Sequence, residues 1–155
     1  MKKRVFLLAG ASGAGKSTLC AALLRLQQHI VKTQAPEYHG FTAIDLPGEY
    51  VTHPRWRTAF LTNAEGAERI LVVVPADKRN ILYPGDMFKI GRGVRVAGVV
   101  TKIDSPKADI AAARKELMFL GITEPVFETA VCYPETLIPL REWLGIEGKA
   151  IGGCA

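Results

Sequence analysis

The sequence is poor in cysteine, and it lacks the long apolar segments that cross membranes. It contains only three cysteines, Cys20, Cys132 and Cys154, and their separations match no common spacing of metal ligands. An odd number of cysteines in a cytosolic chain favours free thiols over a disulfide framework. No apolar run approaches the roughly 18 residues that a membrane-spanning helix needs. We therefore expect a cytoplasmic protein with no membrane partner.

The sequence also lacks the pattern of a nucleic-acid-binding protein. The formal net charge is +5, and the basic residues are scattered, with a looser group at Lys78, Arg79, Lys89, Arg92 and Arg95. No interleaved aromatic residues and no groove-reading motif accompany this charge. We interpret the group as a solvated basic face, with an acidic protein surface as the alternative partner, and we expect no nucleic-acid partner.

Length and composition are those of one folded domain. Hydrophobic residues make up 48% and charged residues 23% of the 155 residues, as in a typical globular protein. A chain of this length normally forms a single domain. We expect that domain at residues 1–146, followed by a flexible, glycine-rich tail at residues 147–155.

A phosphate-binding motif follows the first apolar run of the sequence, at residues 5–9. Residues 10–17 fit G-x-x-x-x-G-K-[ST], the P-loop, and helical spacing of apolar residues follows the motif. Backbone N–H groups of such a loop form a nest for phosphates. Lys16 is predicted to reach the β- and γ-phosphates, and the Ser17 hydroxyl to ligate Mg²⁺. The nucleotide-binding residues predicted here are Gly10, Ala11, Ser12, Gly13, Ala14, Gly15, Lys16, Ser17 and Thr18.

A second motif, Asp45-Leu46-Pro47-Gly48, follows a short strand predicted at residues 41–44. In P-loop nucleotidases an aspartate at the end of a neighbouring strand holds Mg²⁺. Asp45 is the predicted metal ligand, and Gly48 gives the backbone freedom to approach the γ-phosphate. Alone, the motif would be an ordinary turn, but its position after a strand and a P-loop favours the functional interpretation.

A third motif, Thr101-Lys102-Ile103-Asp104, follows a buried strand predicted at residues 96–100 and fits [NT]-K-x-D. A carboxylate at Asp104 can accept hydrogen bonds from guanine N1–H and the exocyclic amine, a pair that adenine does not offer. The Lys102 stem can lie along the base. The alternative is a lysine and an aspartate on a surface loop.

The remaining patterns predict an α/β fold. Strands are expected at residues 37–39, 70–74 and 125–131, and helices after Pro54, after an N-cap at Ser105, and near Leu137. Alternating strands and helices predict a mostly parallel central sheet with helices on both faces. All three motifs then lie at the carboxyl ends of strands, where ligands bind in such sheets.

The set of motifs resembles the small Ras-like G-domain superfamily over nearly the whole chain. More narrowly, the chain resembles the EutP/PduV family, the ethanolamine- and propanediol-utilisation proteins of bacterial microcompartment operons. The segments that carry this resemblance are 32–34 (Lys-Thr-Gln), 45–50, 53–56 (His-Pro-Arg-Trp) and 101–104, and the His-Pro-Arg-Trp segment favours the ethanolamine branch. The resemblance implies a compact Ras-like P-loop domain that binds a guanine or other purine nucleotide, and we expect GTP or GDP with Mg²⁺. It also adds acetate kinase activity, which has been attributed to the family, as an alternative.

Further site residues come with the resemblance. Thr33 is the candidate switch threonine that ligates Mg²⁺ in the triphosphate state, with Thr42 as its competitor. Thr129 and Ala130 stand where G domains carry Ser-Ala, and a backbone contact from them to guanine O6 is expected. Glu49 follows Gly48, where Ras-like enzymes place a glutamine that orients water. The predicted catalytic residues are therefore Lys16, Thr33 and Glu49, and the predicted metal ligands are Ser17, Thr33 and Asp45.

Three functions remain open on the sequence. The first is a Mg²⁺-dependent guanine-nucleotide-binding protein with slow GTP hydrolysis, cytoplasmic and associated with a microcompartment. The second is an interaction module whose nucleotide-ordered loops bind a microcompartment shell protein or enzyme. The third is an acetate kinase in which an arginine such as Arg55 holds the acetate carboxylate.

Overall fold

The computed structural model describes residues 6–24, 37–39, 43–48, 54–65, 67–78 and 94–145. Its strands are β1 Phe6–Ala9, β2 Glu37–His39, β3 Ala43–Asp45, β4 Arg69–Pro75, β5 Arg95–Thr101 and β6 Val126–Glu128. Its helices are α1 Lys16–Leu24, α2 Arg57–Glu65, α3 Ile110–Phe119 and α4 Ile138–Leu144, and short 3-10 turns at Pro54–Trp56 and Pro134–Leu137 precede α2 and α4.

The six strands form one sheet in the order β2-β3-β1-β4-β5-β6. All neighbouring pairs are parallel except β2 and β3, which are antiparallel. The predicted α/β architecture with a mostly parallel sheet is therefore confirmed. The edge strand at 37–39 has the predicted bounds, whereas β6 is shorter than the predicted strand.

Side-chain alternation along the central strands divides the core into two layers. In β1, Leu7 packs in the layer that contains Phe60 of α2 and Leu117 of α3. Leu8, the next residue, packs in the other layer with Leu19 of α1 and Leu140 of α4. Helices therefore cover both faces of the sheet, as the near-continuous apolar strands predict.

Helix α3 begins later than the sequence indicates. Its N-cap is Asp109, whose carboxylate accepts a hydrogen bond from the Ala112 N–H at 3.1 Å. The predicted cap at Ser105 is wrong, because Ser105 instead closes a turn and its Oγ accepts from the Lys107 N–H at 3.3 Å. The Asp109 N–H donates to Ala76 O at 2.8 Å, which ties the start of the helix to the end of β4.

The last helix agrees with its prediction. Leu137, Leu140 and Leu144 are all buried, and Pro139 lies in the first turn of α4, where a missing N–H costs no intrahelical hydrogen bond. Within the described residues, no helix is long and apolar enough to cross a membrane.

Two expectations about individual residues need correction. Cys20 is a buried free thiol as expected, but Cys132 is disulfide-bonded, so the prediction of free thiols is wrong there. Cysteine spacing alone carries no information on which loops the fold brings together. In the looser basic group, Lys78 follows the carboxyl end of β4, whereas Arg95 is the first residue of β5. Because β4 and β5 are parallel, these two residues lie at opposite ends of the strands.

Candidate nucleotide-binding site

The three sequence motifs meet at the carboxyl edge of the sheet. β1 ends at Ala9 and leads into the P-loop, and α1 begins at Lys16. β3 ends at Asp45, whose Cα lies opposite Leu8 of β1 in the parallel register. β5, on the other side of β4, ends at Thr101. The fold thus places a P-loop, a D-x-x-G turn and a T-K-x-D loop at one edge.

The P-loop has the backbone of an anion nest. Gly13 and Gly15 have positive φ angles of 83° and 92°, which residues with a Cβ rarely adopt. The loop closes through a hydrogen bond from the Ala14 N–H to Ala11 O at 3.1 Å. Within the described part of the chain, the N–H groups of Gly13 and Gly15 have no hydrogen-bond acceptor. Unpaired N–H groups in a tight loop are the donors that a phosphate binds.

Lys16 lies inside this loop. Its side chain is buried, and its Nζ donates to Ala11 O at 3.0 Å across the loop. Ser17 and Thr18 follow in the first turn of α1 and are half-buried. A buried ammonium attracts negative charge, so an anionic ligand in this loop would be favoured.

Gly48 packs directly against the P-loop backbone. A Cβ at this position would lie 2.8 Å from both the Ala11 carbonyl carbon and the Ser12 Cα, and closer still to the Ser12 nitrogen. Leu46, two residues earlier, donates its N–H to Leu8 O at 3.2 Å and continues the pairing of β3 with β1. The D-x-x-G turn and the phosphate loop therefore touch through backbone atoms.

The T-K-x-D loop binds the P-loop from the other side. The Thr101 hydroxyl donates to Ala14 O at 2.6 Å, and Lys102 Nζ donates to Gly13 O at 2.9 Å. Lys102 has φ 60°, a left-handed conformation that costs a non-glycine residue roughly 1–3 kcal/mol. Strain of this kind concentrates at functional sites, and here it occurs where two consecutive side chains hold two consecutive carbonyls.

Asp77 is a site residue that the sequence motifs did not identify. Its Oδ1 lies 4.0 Å from Lys102 Nζ, and this oxygen is buried with no hydrogen-bond partner among the described residues. The only sequence signal was its place just after the end of β4. A carboxylate here partly compensates the ammonium that lies against the phosphate loop.

The loop after β6 lies beside the T-K-x-D loop. The Ile103 N–H donates to Thr129 O at 3.3 Å, and the Thr129 N–H donates to Val100 O at 2.7 Å. Thr129 and Ala130 are buried, whereas Asp104 is exposed. The Ala130 N–H, expected to face guanine O6, donates to Thr136 Oγ1 at 2.9 Å. Thr136 is the second residue here that no motif indicated.

Several predicted residues are not placed by these contacts. Thr33, its competitor Thr42 and Glu49 lie outside the described residues, as does the tail at residues 147–155. For Asp45 the backbone position is described and the side chain is not. Their roles stay predictions from the sequence.

Comparisons with known proteins agree with the geometry. A family model described as "Ethanolamine utilisation - propanediol utilisation" matches residues 1–145. A Salmonella typhimurium protein named probable acetate kinase EutP is 37% identical over 144 residues, which are 93% of this chain and 89% of that protein. The propanediol utilization protein PduV of Citrobacter freundii is 33% identical over 132 residues, covering 83% and 85% of the two chains.

A solved structure shows a similar fold at low sequence identity. The Arl6 BBS3 small GTPase of Trypanosoma brucei, with a bound nucleotide analogue, gives a TM-score of 0.63 at 15% identity. The match covers 92% of this chain and 97% of that one. It confirms the predicted Ras-like α/β fold.

Proposed function

Because the chain belongs to the EutP/PduV family of ethanolamine- and propanediol-utilisation proteins, we propose that it is a Mg²⁺-dependent guanine-nucleotide-binding protein with slow GTP hydrolysis. The observation that carries the proposal is the pair of hydrogen bonds from Thr101 and Lys102 to the P-loop carbonyls. They hold a phosphate loop and a base-recognition loop in one site, which is the arrangement a purine nucleoside triphosphate requires.

At the phosphate end, we propose that Lys16 and the loop N–H groups bind the β- and γ-phosphates. Lys16 Nζ already lies within the loop, 3.0 Å from Ala11 O. Binding exchanges this neutral acceptor for charged phosphate oxygens, which strengthens the hydrogen bond. The entropy cost of ordering the Lys16 side chain on binding is small, because this side chain is already buried in the free protein.

The same site contains oxygen ligands of the kind that bind a magnesium ion. Ser17 lies in the first turn of α1 beside the loop. The backbone of Asp45, at the end of β3, lies opposite Leu8 of the adjacent strand β1, which leads into the same loop. Hydroxyl and carboxylate oxygens, completed by phosphate oxygens and water, are the ligands that Mg²⁺ prefers. We propose Ser17, Asp45 and, in the triphosphate state, Thr33 as its protein ligands. When bound by these residues, the ion would neutralise charge on the phosphate oxygens.

For hydrolysis, we propose that Glu49 orients or deprotonates the attacking water. It directly follows Gly48, whose backbone packs on the P-loop. The water oxygen attacks the γ-phosphorus, the bond to the bridging oxygen breaks, and nucleoside diphosphate leaves with inorganic phosphate. A carboxylate near the phosphates repels their charge, so we expect slow turnover unless a partner supplies a cation.

A second candidate function is phosphoryl transfer to acetate. It is favoured by the names of the relatives, which include probable acetate kinases. Arg55 is exposed in the turn before α2, with its guanidinium 5.4 Å from the Trp56 ring centroid, and is our candidate for holding the acetate carboxylate. An acetate oxygen would replace water as the nucleophile, and acetyl phosphate would leave instead of inorganic phosphate.

Product analysis with GTP and with ATP, each with and without acetate, tests the proposal. Inorganic phosphate formed from GTP without acetate supports hydrolysis, whereas acetyl phosphate formed only with acetate supports the kinase. Nucleotide binding without either product leaves the interaction module, in which nucleotide-ordered loops bind a microcompartment component. Lys16→Ala is the control, since it should abolish each product that arises in this site.

A further inference from the structure

We propose that, of the residues that the structure describes, Asp104 alone reads the purine base, and that the O6 and N7 atoms of guanine are left unread by them. This inference rests on the proposed function, because it concerns the base of the nucleotide bound there. It names the ligand class more narrowly: purine nucleotides with an N1–H and a 2-amino group, with tolerance for changes at positions 6 and 7.

The first observation is the use of the Thr101 proton. A hydroxyl has a single hydrogen to donate, and Thr101 donates it to Ala14 O at 2.6 Å. The residue is 5% exposed, so the hydroxyl is enclosed where this bond forms. N7 is an acceptor in both adenine and guanine. Thr101 therefore holds the P-loop but has no second proton for N7.

The second observation is the use of the Ala130 N–H. It donates to Thr136 Oγ1 at 2.9 Å, and the Thr136 hydroxyl lies 2.7 Å from Tyr133 O and 3.0 Å from Ala130 O. The loop after β6 is closed on itself by these bonds and by the Tyr133 N–H, which donates to Ala130 O at 2.9 Å. The N–H expected to contact O6 is thus satisfied within the protein.

Asp104 remains for base recognition. It is exposed at the mouth of the loop, next to Ile103, whose N–H bonds the loop after β6. Its two oxygens can accept from N1–H and the 2-amino group, while adenine presents an unprotonated N1 and no 2-amino group. Hydrogen bonds to a charged group of this kind correspond to roughly ten- to a hundredfold in affinity. We therefore expect higher affinity for GTP than for ATP, with the whole difference arising from the Asp104 carboxylate.

The test compares GTP with 7-deaza-GTP and 6-thio-GTP on the full chain, by competition against a fluorescent ribose-labelled GDP. The first analogue lacks N7, and the second replaces O6 with a weak sulfur acceptor while keeping N1–H and the 2-amino group. We expect both to bind within about threefold of GTP, because no net hydrogen bond is lost. Loss of about tenfold or more with either analogue overturns the inference, since some other donor then reads that atom.

The Thr136→Val variant tests whether freeing the Ala130 N–H creates recognition of guanine O6. Valine cannot accept from the Ala130 N–H, so that donor becomes available to the base, and GTP should then bind several-fold tighter than 6-thio-GTP. Thr136→Ser keeps the hydroxyl and should treat the two nucleotides alike, as the parent protein does. If Thr136→Val does not fold, the parent measurement with the analogues still decides. Absence of any GTP binding by the parent protein would instead overturn the proposed function.

Discussion

Replacement of Gly48 by alanine tests whether the D-x-x-G turn supports the phosphate loop. The added Cβ would lie 2.8 Å from the Ala11 carbonyl carbon and from the Ser12 Cα. Ordinary contact begins near 3.4 Å, so these two atoms alone require a backbone shift of about 0.6 Å, and the closer Ser12 nitrogen requires a larger one. Even the smaller shift exceeds the roughly 0.5 Å within which a binding constellation must be held. Neither side can yield cheaply, because both are main chain.

The expected cost of this overpacking is about 1–3 kcal/mol in the free energy of unfolding. For a chain of this size, that lowers the melting temperature by roughly 2–12 °C. Because the displaced atoms belong to the phosphate nest, we also expect at least about a tenfold loss of GTP affinity, or roughly 1.4 kcal/mol. Calorimetric titration with GTP and thermal unfolding measure the two effects separately.

Leu144→Ala is the control for Gly48→Ala. Leu144 is buried at the end of α4, a helix that carries none of the three motifs, and its truncation costs about 2–5 kcal/mol. It should lower the melting temperature and leave GTP affinity unchanged at temperatures where the protein is folded. Parent-like GTP affinity in folded Gly48→Ala would refute the argument that Gly48 supports the loop.

Three further predictions concern the chemistry of the site. Lys16→Ala should abolish measurable triphosphate binding in calorimetry while circular dichroism shows a parent-like fold, and retained affinity would remove Lys16 from the phosphate site. Asp104→Asn should shift preference from GTP toward XTP by about tenfold or more, because an amide can donate to the O2 that replaces the guanine amine; unchanged preference in competition binding would contradict base reading by Asp104. Glu49→Ala should lower kcat for GTP about tenfold or more with nearly unchanged affinity, and equal single-turnover rates in variant and parent would leave Glu49 without a catalytic role.

The elements that the sequence predicted well are those whose local signals agree with their burial. β4 contains a continuous apolar run in which most residues are β-branched, and it is buried along nearly its whole length. The start of α3 was missed because Ser105 and Asp109 are both good N-cap residues. The hydrogen bond from Asp109 N–H to Ala76 O, a contact distant in sequence, coincides with the later cap.

In the site, motifs predicted which segments come together but not how their donors are shared. The spacing of the T-K-x-D motif gives no indication that Thr101 bonds Ala14 O. Thr136 lies outside every motif, and its role arises only when the loop after β6 folds back on Ala130. Such roles depend on long-range geometry, which local patterns of residue type do not encode.

The bonds from Thr101 and Lys102 to the P-loop span 87 and 89 residues of sequence. The entropy of closing so long a loop must be lost before either bond can form. During synthesis the P-loop emerges first. The carbonyls of Gly13 and Ala14 gain their hydrogen bonds from Thr101 and Lys102 only after β5 has emerged and packed against the sheet. We expect a nascent chain to acquire nucleotide affinity only at that point, so that nucleotide cannot guide the folding of the N-terminal half.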